Sequence, residues 1–163
     1  MKAVEKTNAV RQLDSLKANY TLHSYTGGAL SGVEIATAFH QPVERVFKTL
    51  VTVAKSGTHY VFMVPVAEEL DLKKAAAIVG EKSVSMIPQK ELLPLTGYIH
   101  GGCSPIGMKK PFATVVHISA TELETLYFSA GRVGLQIETT PAVLEKAVKL
   151  RFADIIVKGS CDT

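Results

Sequence analysis

Residues 46–51, which read Val-Phe-Lys-Thr-Leu-Val, constrain the fold more than any other segment. Successive side chains of a strand point to opposite faces, so Val46 and Leu50 share one face with Lys48, while Phe47, Thr49 and Val51 share the other. Large apolar groups stand on both faces, which is typical of a strand inside a sheet. We therefore expect this strand to be covered on both sides.

Lys48 is the one charged side chain in this apolar strand. Burying an ammonium group without a compensating partner costs several kcal/mol. Lys48 must therefore either extend its amine to solvent at the end of the strand or line a cleft that receives an anionic or carbonyl-bearing partner. The residues alone leave both alternatives open.

A second unusual segment is the loop at residues 97–111, which is rich in glycine and proline and ends in Lys109, Lys110 and Pro111. Glycine allows close approach of the backbone to a ligand and readily adopts positive φ, and proline keeps the loop from becoming helical. The loop is therefore predicted to form the wall of a binding site.

Two common catalytic loops do not fit this segment. Gly102 and Gly107 have the glycine spacing of a nucleotide-phosphate loop, but Met108 and Lys109 stand where the lysine and the Ser or Thr are required. The hydrolase pattern G-x-S-x-G also fails, because two residues separate Ser104 from the next glycine. These mismatches argue against a nucleotide triphosphatase and against an activated Ser104.

The chain has 163 residues, 47% of them hydrophobic, which suits one hydrophobic core. We expect one domain over residues 1–157 and a frayed tail over 158–163. The sequence contains neither a signal-peptide pattern nor an apolar run long enough for a membrane span, so a cytoplasmic protein with no membrane partner is predicted. Its cysteines, Cys103 and Cys161, lack zinc-ligand spacing, so neither a metal nor a disulfide framework is expected.

The net charge of +3 permits an anionic partner without requiring one. Lys109 and Lys110 adjoin the glycine loop, where they are candidates for RNA phosphate contacts or simply for a solvated turn. The other basic clusters, at residues 73–74 and 146–151, are interpreted as solvated faces.

Hydrophobic periodicity and capping residues place the secondary structure. Ser31 and Glu34 have capping-box spacing, Asp71 and Gly80 bracket a helix, and Thr140 precedes a proline that can open the last helix. The pattern predicts helices near residues 4–17, 31–39, 71–78, 88–93 and 140–150, and strands near residues 21–25, 46–54, 59–66, 114–119, 125–129, 133–138 and 152–157.

Adjacent strands mixed with helices, without strict β-α-β alternation, predict a mixed α/β fold. We expect one sheet or a partly closed barrel surrounded by helices.

Three separated motifs in this order resemble the YbaK family. They are the segment Phe47-Lys48-Thr49-Leu50, the loop from Thr96 to Lys110, and Gly131-Arg132-Val133-Gly134-Leu135. His23-Ser24-Tyr25, Leu70 to Lys74 and Phe152 to Ile155 add to a resemblance that spans nearly the whole chain.

The resemblance implies a free-standing aminoacyl-tRNA editing protein, similar to the insertion domain of bacterial prolyl-tRNA synthetase, with a barrel-like α/β fold and no metal or organic cofactor. It implies deacylation of Cys-tRNA(Pro), extending to Cys-tRNA(Cys), in which the substrate thiol attacks its own ester carbonyl and forms a thiolactone. Hydrolysis of an alanyl or seryl ester and a non-catalytic RNA- or nucleotide-binding module are the alternatives.

Site residues follow from the same resemblance. Lys48, Gly101 and Gly102 are expected to be catalytic, with the two glycine N–H groups stabilising the oxyanion. The expected substrate-binding residues are Tyr25, Thr49, Cys103, Ser104, Pro105 and Ser129. The expected partners are the acceptor end of aminoacyl-tRNA and, for recognition beyond it, prolyl-tRNA synthetase.

The chain departs from the family at two positions. Cys103 stands where other members have an aliphatic residue, and we interpret it as a small apolar substitute, although a thiol beside glycine-rich backbone can also be a nucleophile. Gln136 replaces an aspartate found in some members, which leaves the role of a carboxylate there open.

Overall fold

A computed structural model describes residues 6–28 and 30–158. Its helices are α1 (Asn8–Ser15), α2 (Gly32–Ala38), α3 (Leu72–Val79), α4 (Leu92–Thr96) and α5 (Pro141–Ala147). Its strands are β1 (Thr21–Ser24), β2 (Phe47–Ala54), β3 (His59–Pro65), β4 (Val84–Met86), β5 (Ala113–His117), β6 (Leu126–Arg132), β7 (Leu135–Thr139) and β8 (Leu150–Ala153). The predicted tail from residue 159 onward, and with it Cys161, lies outside the described residues.

Four of the helices begin with a side-chain N-cap. Side-chain oxygens of Thr7, Ser31, Asp71 and Thr140 accept hydrogen bonds from backbone N–H groups of the first turn, which would otherwise lack a partner. Ser31 and Glu34 form the predicted capping box, and Gly80 ends α3 with φ +74°. These signals lie within a few residues of each other in sequence, which is why the pattern predicted them.

The strands form two sheets. One is antiparallel, in the order β1-β7-β6; the other is mixed, in the order β4-β2-β3-β5-β8, in which β5 lies parallel to both β3 and β8. The predicted mixed α/β class is confirmed, and the predicted β2–β3 hairpin is present. The sheets meet at a parallel bridge between Val46 and Tyr127, without closing a barrel.

The main core lies between α1, α5 and the two sheets. Leu13, Met63, Phe128, Ile137 and Leu144 are fully buried there. Burying a side chain of this size contributes about 1.5–3 kcal/mol. A second cluster packs α3 against the other face of the five-stranded sheet. Apolar cover on both faces of β2 is thus confirmed, since Phe47 packs in the first cluster and Leu50 packs against the second.

The sequence pattern was wrong in three places. Helix α5 ends at Ala147 instead of near Leu150, and residues 150–153 form β8, so the predicted strand at 152–157 begins earlier. Strand β4 was missed. Helix α4 contains Pro94, which was expected to end the preceding helix. Proline is tolerated there because a first-turn residue needs no intrahelical N–H partner.

Within the described residues, every helix falls short of the length and apolar character needed to cross a membrane.

Replacing Asp71 tests the capping of α3. Its carboxylate accepts hydrogen bonds from the N–H groups of Lys73 and Lys74, at 3.0 and 3.1 Å. Asp71→Ala is expected to lower the free energy of unfolding by about 1 kcal/mol, measured by urea denaturation. Asp71→Asn keeps a capping oxygen and should retain most of that stability; equal losses in both variants would contradict the capping role.

Candidate functional site

A cleft of about 400 Å³ lies along one edge of β2. One wall is largely apolar and comes from α2, from Val66 just after β3, from β4 and from α4. Residues of the glycine loop and of the β6–β7 pair also line it. The polar groups that line it include those of Lys48, Thr49, His100, Gly101, Cys103, Ser129 and Gln136.

The backbone edge of β2 is uncovered where it meets the cleft. Val66 N–H donates to Val46 O, and Ala54 N–H donates to Thr58 O, so the even-numbered residues of β2 bond to β3. The peptide groups of Thr49 therefore point to the opposite edge. Strand β4 pairs with residues 52–54 of β2, and Ile87 N–H donates a hydrogen bond to the Val51 carbonyl. Neither element extends to Thr49, and no strand pairing among the described residues engages Thr49 on that edge, so we infer that its N–H and C=O face the cleft.

Lys48 and Thr49 leave opposite faces of β2 and both line the cleft. Lys48 is half-buried and lies opposite Val64 of β3. In the part of the chain that the structure describes, its amine takes part in neither an ion pair nor a hydrogen bond. Of the two alternatives left by the sequence, the structure supports the cleft position. A cation held among apolar walls attracts an anion or a polarised carbonyl.

Three buried polar atoms at or beside the cleft have no hydrogen-bond partner within residues 6–28 and 30–158. They are Tyr25 Oη, Thr49 Oγ1 and Gln136 Oε1. Gln136 is 4% exposed, lines the cleft and lies opposite Ser129 in the β6–β7 pair. Tyr25 lies just behind the wall, where it packs against the cluster of Ile35 and Val46. Unsatisfied buried polar groups are costly, so such a cluster is typical of a ligand site.

The glycine loop presents alternate residues to the cleft. Gly101 and Cys103 line it, and the Gly101 N–H has no acceptor among the described residues. Gly102 faces away: a Cβ there would lie 2.9 Å from the Val133 nitrogen, and its N–H donates to Ile99 O at 3.0 Å. That N–H is already used inside the loop, so we assign no oxyanion contact to Gly102.

Ser104 and Pro105 also do not line the cleft. Ser104 is fully buried, and its hydroxyl accepts a hydrogen bond from Ile106 N–H at 3.3 Å. Pro105 lines a separate groove behind the loop. Both residues stabilise the shape of the loop, and the expectation that they contact substrate is not supported by where they lie.

Cys103 carries a neutral thiol. Burial raises its pKa to about 12, although a hydrogen bond with the Thr96 side chain opposes the rise. The thiolate is the nucleophilic form, and raising the pKa this far depletes it near neutral pH. The apolar interpretation of Cys103 agrees with this environment, in which it packs with Val51, Leu92 and Tyr98.

The two loop lysines lie outside the cleft. Lys109 is exposed, and its N–H donates to Thr96 O at 3.0 Å. Lys110 is exposed and lines the same separate groove as Pro105.

Glu138, the carboxylate nearest to Gln136 in sequence, is held elsewhere. It accepts hydrogen bonds from Thr125 and Arg45, and its Oε1 lies 2.8 Å from His23 Nε2. Burial raises the pKa of Glu138, but hydrogen bonds from Thr125 and His23 outweigh that effect and lower it overall. Across the described ranges, no three His, Cys, Asp or Glu side chains come together as metal ligands.

Sequence reasoning missed much of the cleft wall. Met86 and Ile87 lie in and after the unpredicted β4, and Leu30, Ile35 and Val66 appear in sequence as ordinary core residues. Gln136 did carry a signal, because it is a polar residue between Leu135 and Ile137 in a strand.

Comparison with known proteins agrees with this fold and cleft. The aminoacyl-tRNA editing domain family matches residues 27–147. A protein of Enterococcus faecalis (strain ATCC 700802 / V583), EbsC, named for a proposed Cys-tRNA(Pro)/Cys-tRNA(Cys) deacylase activity, is 40% identical over 159 residues, which cover 96% of this chain and 97% of EbsC. This chain therefore belongs to the aminoacyl-tRNA editing domain family, as the YbaK resemblance implied.

Two solved structures share the fold. One is described as a proposed trans-editing enzyme for prolyl tRNA synthetase; it is 23% identical, with a TM-score of 0.83 over 95% of this chain and 100% of that chain. The other, a hypothetical protein, is 20% identical, with a TM-score of 0.86 over 93% of this chain and 100% of that chain.

Gln136→Leu tests whether the unpaired amide oxygen serves a ligand. Removing an unsatisfied buried polar group should leave the free energy of unfolding unchanged or raise it by about 1 kcal/mol, because no internal hydrogen bond is lost. Substrate binding should weaken in the same variant, measured as a higher KM. Gln12→Leu is the matched control: Gln12 donates to Ala147 O at 2.8 Å, so that variant should lose about 1 kcal/mol. A comparable loss in Gln136→Leu would contradict the ligand role.

The reactivity of Cys103 tests its neutral state. In a Cys161→Ser background, alkylation by iodoacetamide at pH 8 should be at least about 10³-fold slower than for a free thiol, because the raised pKa depletes the thiolate. The rate should keep rising tenfold per pH unit to pH 10, where a free thiol has levelled off. A plateau near pH 8.5 in the folded protein would contradict the raised pKa.

Proposed function

We propose that this chain acts in trans on mischarged Cys-tRNA(Pro), and on Cys-tRNA(Cys), and releases the cysteine by cyclisation of the substrate itself. The observation that carries the proposal is the composition of the cleft. Lys48, Thr49 and Gly101 line one cleft, and the cysteine that lines it with them, Cys103, is protonated. The 40% identity to EbsC supports the same substrate class.

The reaction needs little beyond positioning and charge stabilisation. The substrate thiol attacks the ester carbonyl, a carbon–sulfur bond forms, the carbon–oxygen bond to the ribose breaks, and the thiol proton passes to the departing ribose oxygen. The products are a thiolactone and uncharged tRNA. Holding thiol and carbonyl together gains the entropy advantage of an intramolecular reaction.

The protein groups divide this work. The Gly101 N–H donates to the oxyanion, and Lys48 adds positive charge beside the ester or orients the terminal adenosine. Thr49, Ser129 and Gln136 bind the remaining polar groups of the aminoacyl ester. Tyr25, which does not line the cleft, supports its wall by packing against the cluster of Ile35 and Val46. Gly102, Ser104 and Pro105 set the loop geometry that aims Gly101.

An editing step of this kind is useful because a synthetase pocket discriminates weakly between cysteine and proline, and the requirement for a substrate thiol makes that step selective. Cysteine and proline are near-isosteres, and a hydrophobic synthetase pocket discriminates weakly between such pairs. A reaction that requires a thiol spares an alanyl ester, which has no nucleophile, and disfavours a seryl ester, whose hydroxyl is a poorer one.

A small editing domain reads the acceptor end and relies on a partner for the rest of the tRNA. We propose prolyl-tRNA synthetase as that partner and the cytoplasm as the location, since aminoacylated tRNA is made there. Tethering to the synthetase would raise the effective concentration of the mischarged end.

Lys48→Ala and a blocked substrate test the mechanism together. Lys48→Ala should reduce release of cysteine from Cys-tRNA(Pro) by about 10²–10³-fold, the usual effect of losing one group that stabilises the developing charge. Cys103→Ala should stay within about threefold of wild type, because Cys103 is not the nucleophile. Lys55→Ala, in the exposed β2–β3 turn, is the matched control for loss of a lysine.

S-methylcysteinyl-tRNA(Pro) distinguishes the alternatives. Cyclisation cannot occur with a methylated thiol, so wild type should leave this substrate intact. Its release, or release of alanine or serine at comparable rates, would indicate a water nucleophile. Loss of activity in Cys103→Ala would indicate a protein nucleophile, and tRNA binding without release of any amino acid would indicate a binding module.

A further inference from the structure

A second groove, of about 570 Å³, lies behind the glycine loop. We call it the basic groove. Its walls are defined by Pro105, Lys110, Phe112, Gln12, Val148 and Lys149. Nothing in the sequence pattern groups Lys110 with Lys149, because 38 residues lie between them and Lys149 is interpreted there as part of a solvated face.

Parallel strand pairing brings the two lysines together. Strand β5 lies parallel to β8, with Thr114 opposite Leu150. Lys110 comes shortly before β5, and Lys149 comes directly before β8. The starts of parallel neighbours meet at the same edge of a sheet, so both side chains line one groove.

The charged side chains that line the basic groove are both positive. Lys110 and Lys149 are exposed, and no Asp or Glu is among the described residues that line it. Neither lysine forms an ion pair with a residue that the structure describes. The apolar lining can hold the lysine stems, which leaves the ammonium groups at the surface for an anion. Lysine ammonium groups are common phosphate ligands in proteins.

The basic groove and the cleft lie on two sides of one loop. Gly101 and Cys103 line the cleft, and Pro105, Gly107 and Lys110 line the groove. Lys110 lies seven positions after Cys103, which limits the distance between the two residues to about 25 Å even for fully extended chain. An RNA strand whose 3′ end enters the cleft can therefore continue round the loop to the groove.

We infer that the basic groove binds a backbone phosphate of the RNA whose 3′ end occupies the cleft, and that Lys149 is an RNA-binding residue together with Lys110. This inference rests on the proposed function, because it assumes that the cleft holds the end of an RNA strand. It goes beyond it by adding a binding site outside the cleft.

Single and double replacements of Lys110 and Lys149 by glutamine test the inference. Binding of uncharged tRNA(Pro) should weaken about threefold to tenfold per lysine, and the slope of log K against log salt concentration should decrease by about 0.7–0.9 for each. With full-length Cys-tRNA(Pro), KM should rise and kcat should stay within twofold. With cysteinyl adenosine, which cannot reach the groove, both constants should be unchanged.

Lys146→Gln is the matched control. Lys146 is an exposed lysine of α5, three residues from Lys149, and it does not line the groove. It should change tRNA binding less than twofold. An equal effect of Lys146→Gln on tRNA binding would indicate only a general electrostatic field, and it would overturn the assignment of a phosphate site to the basic groove.

Failure of the groove can be distinguished from failure of the proposed function. Suppose that tRNA affinity and salt slope are unchanged in the Lys110 and Lys149 variants while cysteine is still released from cysteinyl adenosine. That result would overturn phosphate binding in the basic groove and leave the proposed function standing. Loss of activity on cysteinyl adenosine in these variants would place the lysines in the cleft, which also overturns the inference. If wild type releases no amino acid at all, the proposed function fails, and the salt slope still tests the groove.

Discussion

The uncovered backbone edge in the middle of β2 is the constraint on which the site depends. The strand is packed on both faces, yet β4 covers its outer edge only from residue 52 onward, and the bridge to Tyr127 lies at its start. Between these contacts, peptide groups that would normally be paired face a cleft. Because both faces of the strand are packed, its backbone holds Lys48 and Thr49 beside that cleft.

Electrostatic environment then decides what the cleft can do. Burial keeps the Cys103 thiol protonated, and Glu138 is engaged with Thr125, Arg45 and His23 outside the cleft. The groups that remain in the cleft are the Lys48 amine, the oxygens of Thr49 and Gln136 that are unpaired within the described residues, and the Gly101 N–H. Such a set binds and polarises an ester well, and it suits a substrate that carries its own nucleophile.

Local signals made much of the fold predictable. Caps at Ser31, Asp71 and Thr140 and the β2–β3 hairpin depend on residues close in sequence, so their patterns are visible in the chain. Strand β8 was misassigned in part because its pairing with β5 overrides helical periodicity after Ala147. In the site, Lys48, Thr49, Gly101, Cys103 and Ser129 were predicted and line the cleft, whereas Gly102, Ser104 and Pro105 belong to the same loop but face away from it.

The sequence by itself determined the mixed α/β class, the interior strand with its one lysine, and a loop that lets backbone approach a ligand, because each depends on side-chain periodicity or on glycine and proline geometry. Tertiary structure alone decided which loop residues face the cleft, that the Cys103 thiol stays neutral, and that Lys110 and Lys149 line the same groove. Those properties depend on packing, desolvation and strand pairing between residues far apart in the chain, for which a single sequence carries no local pattern.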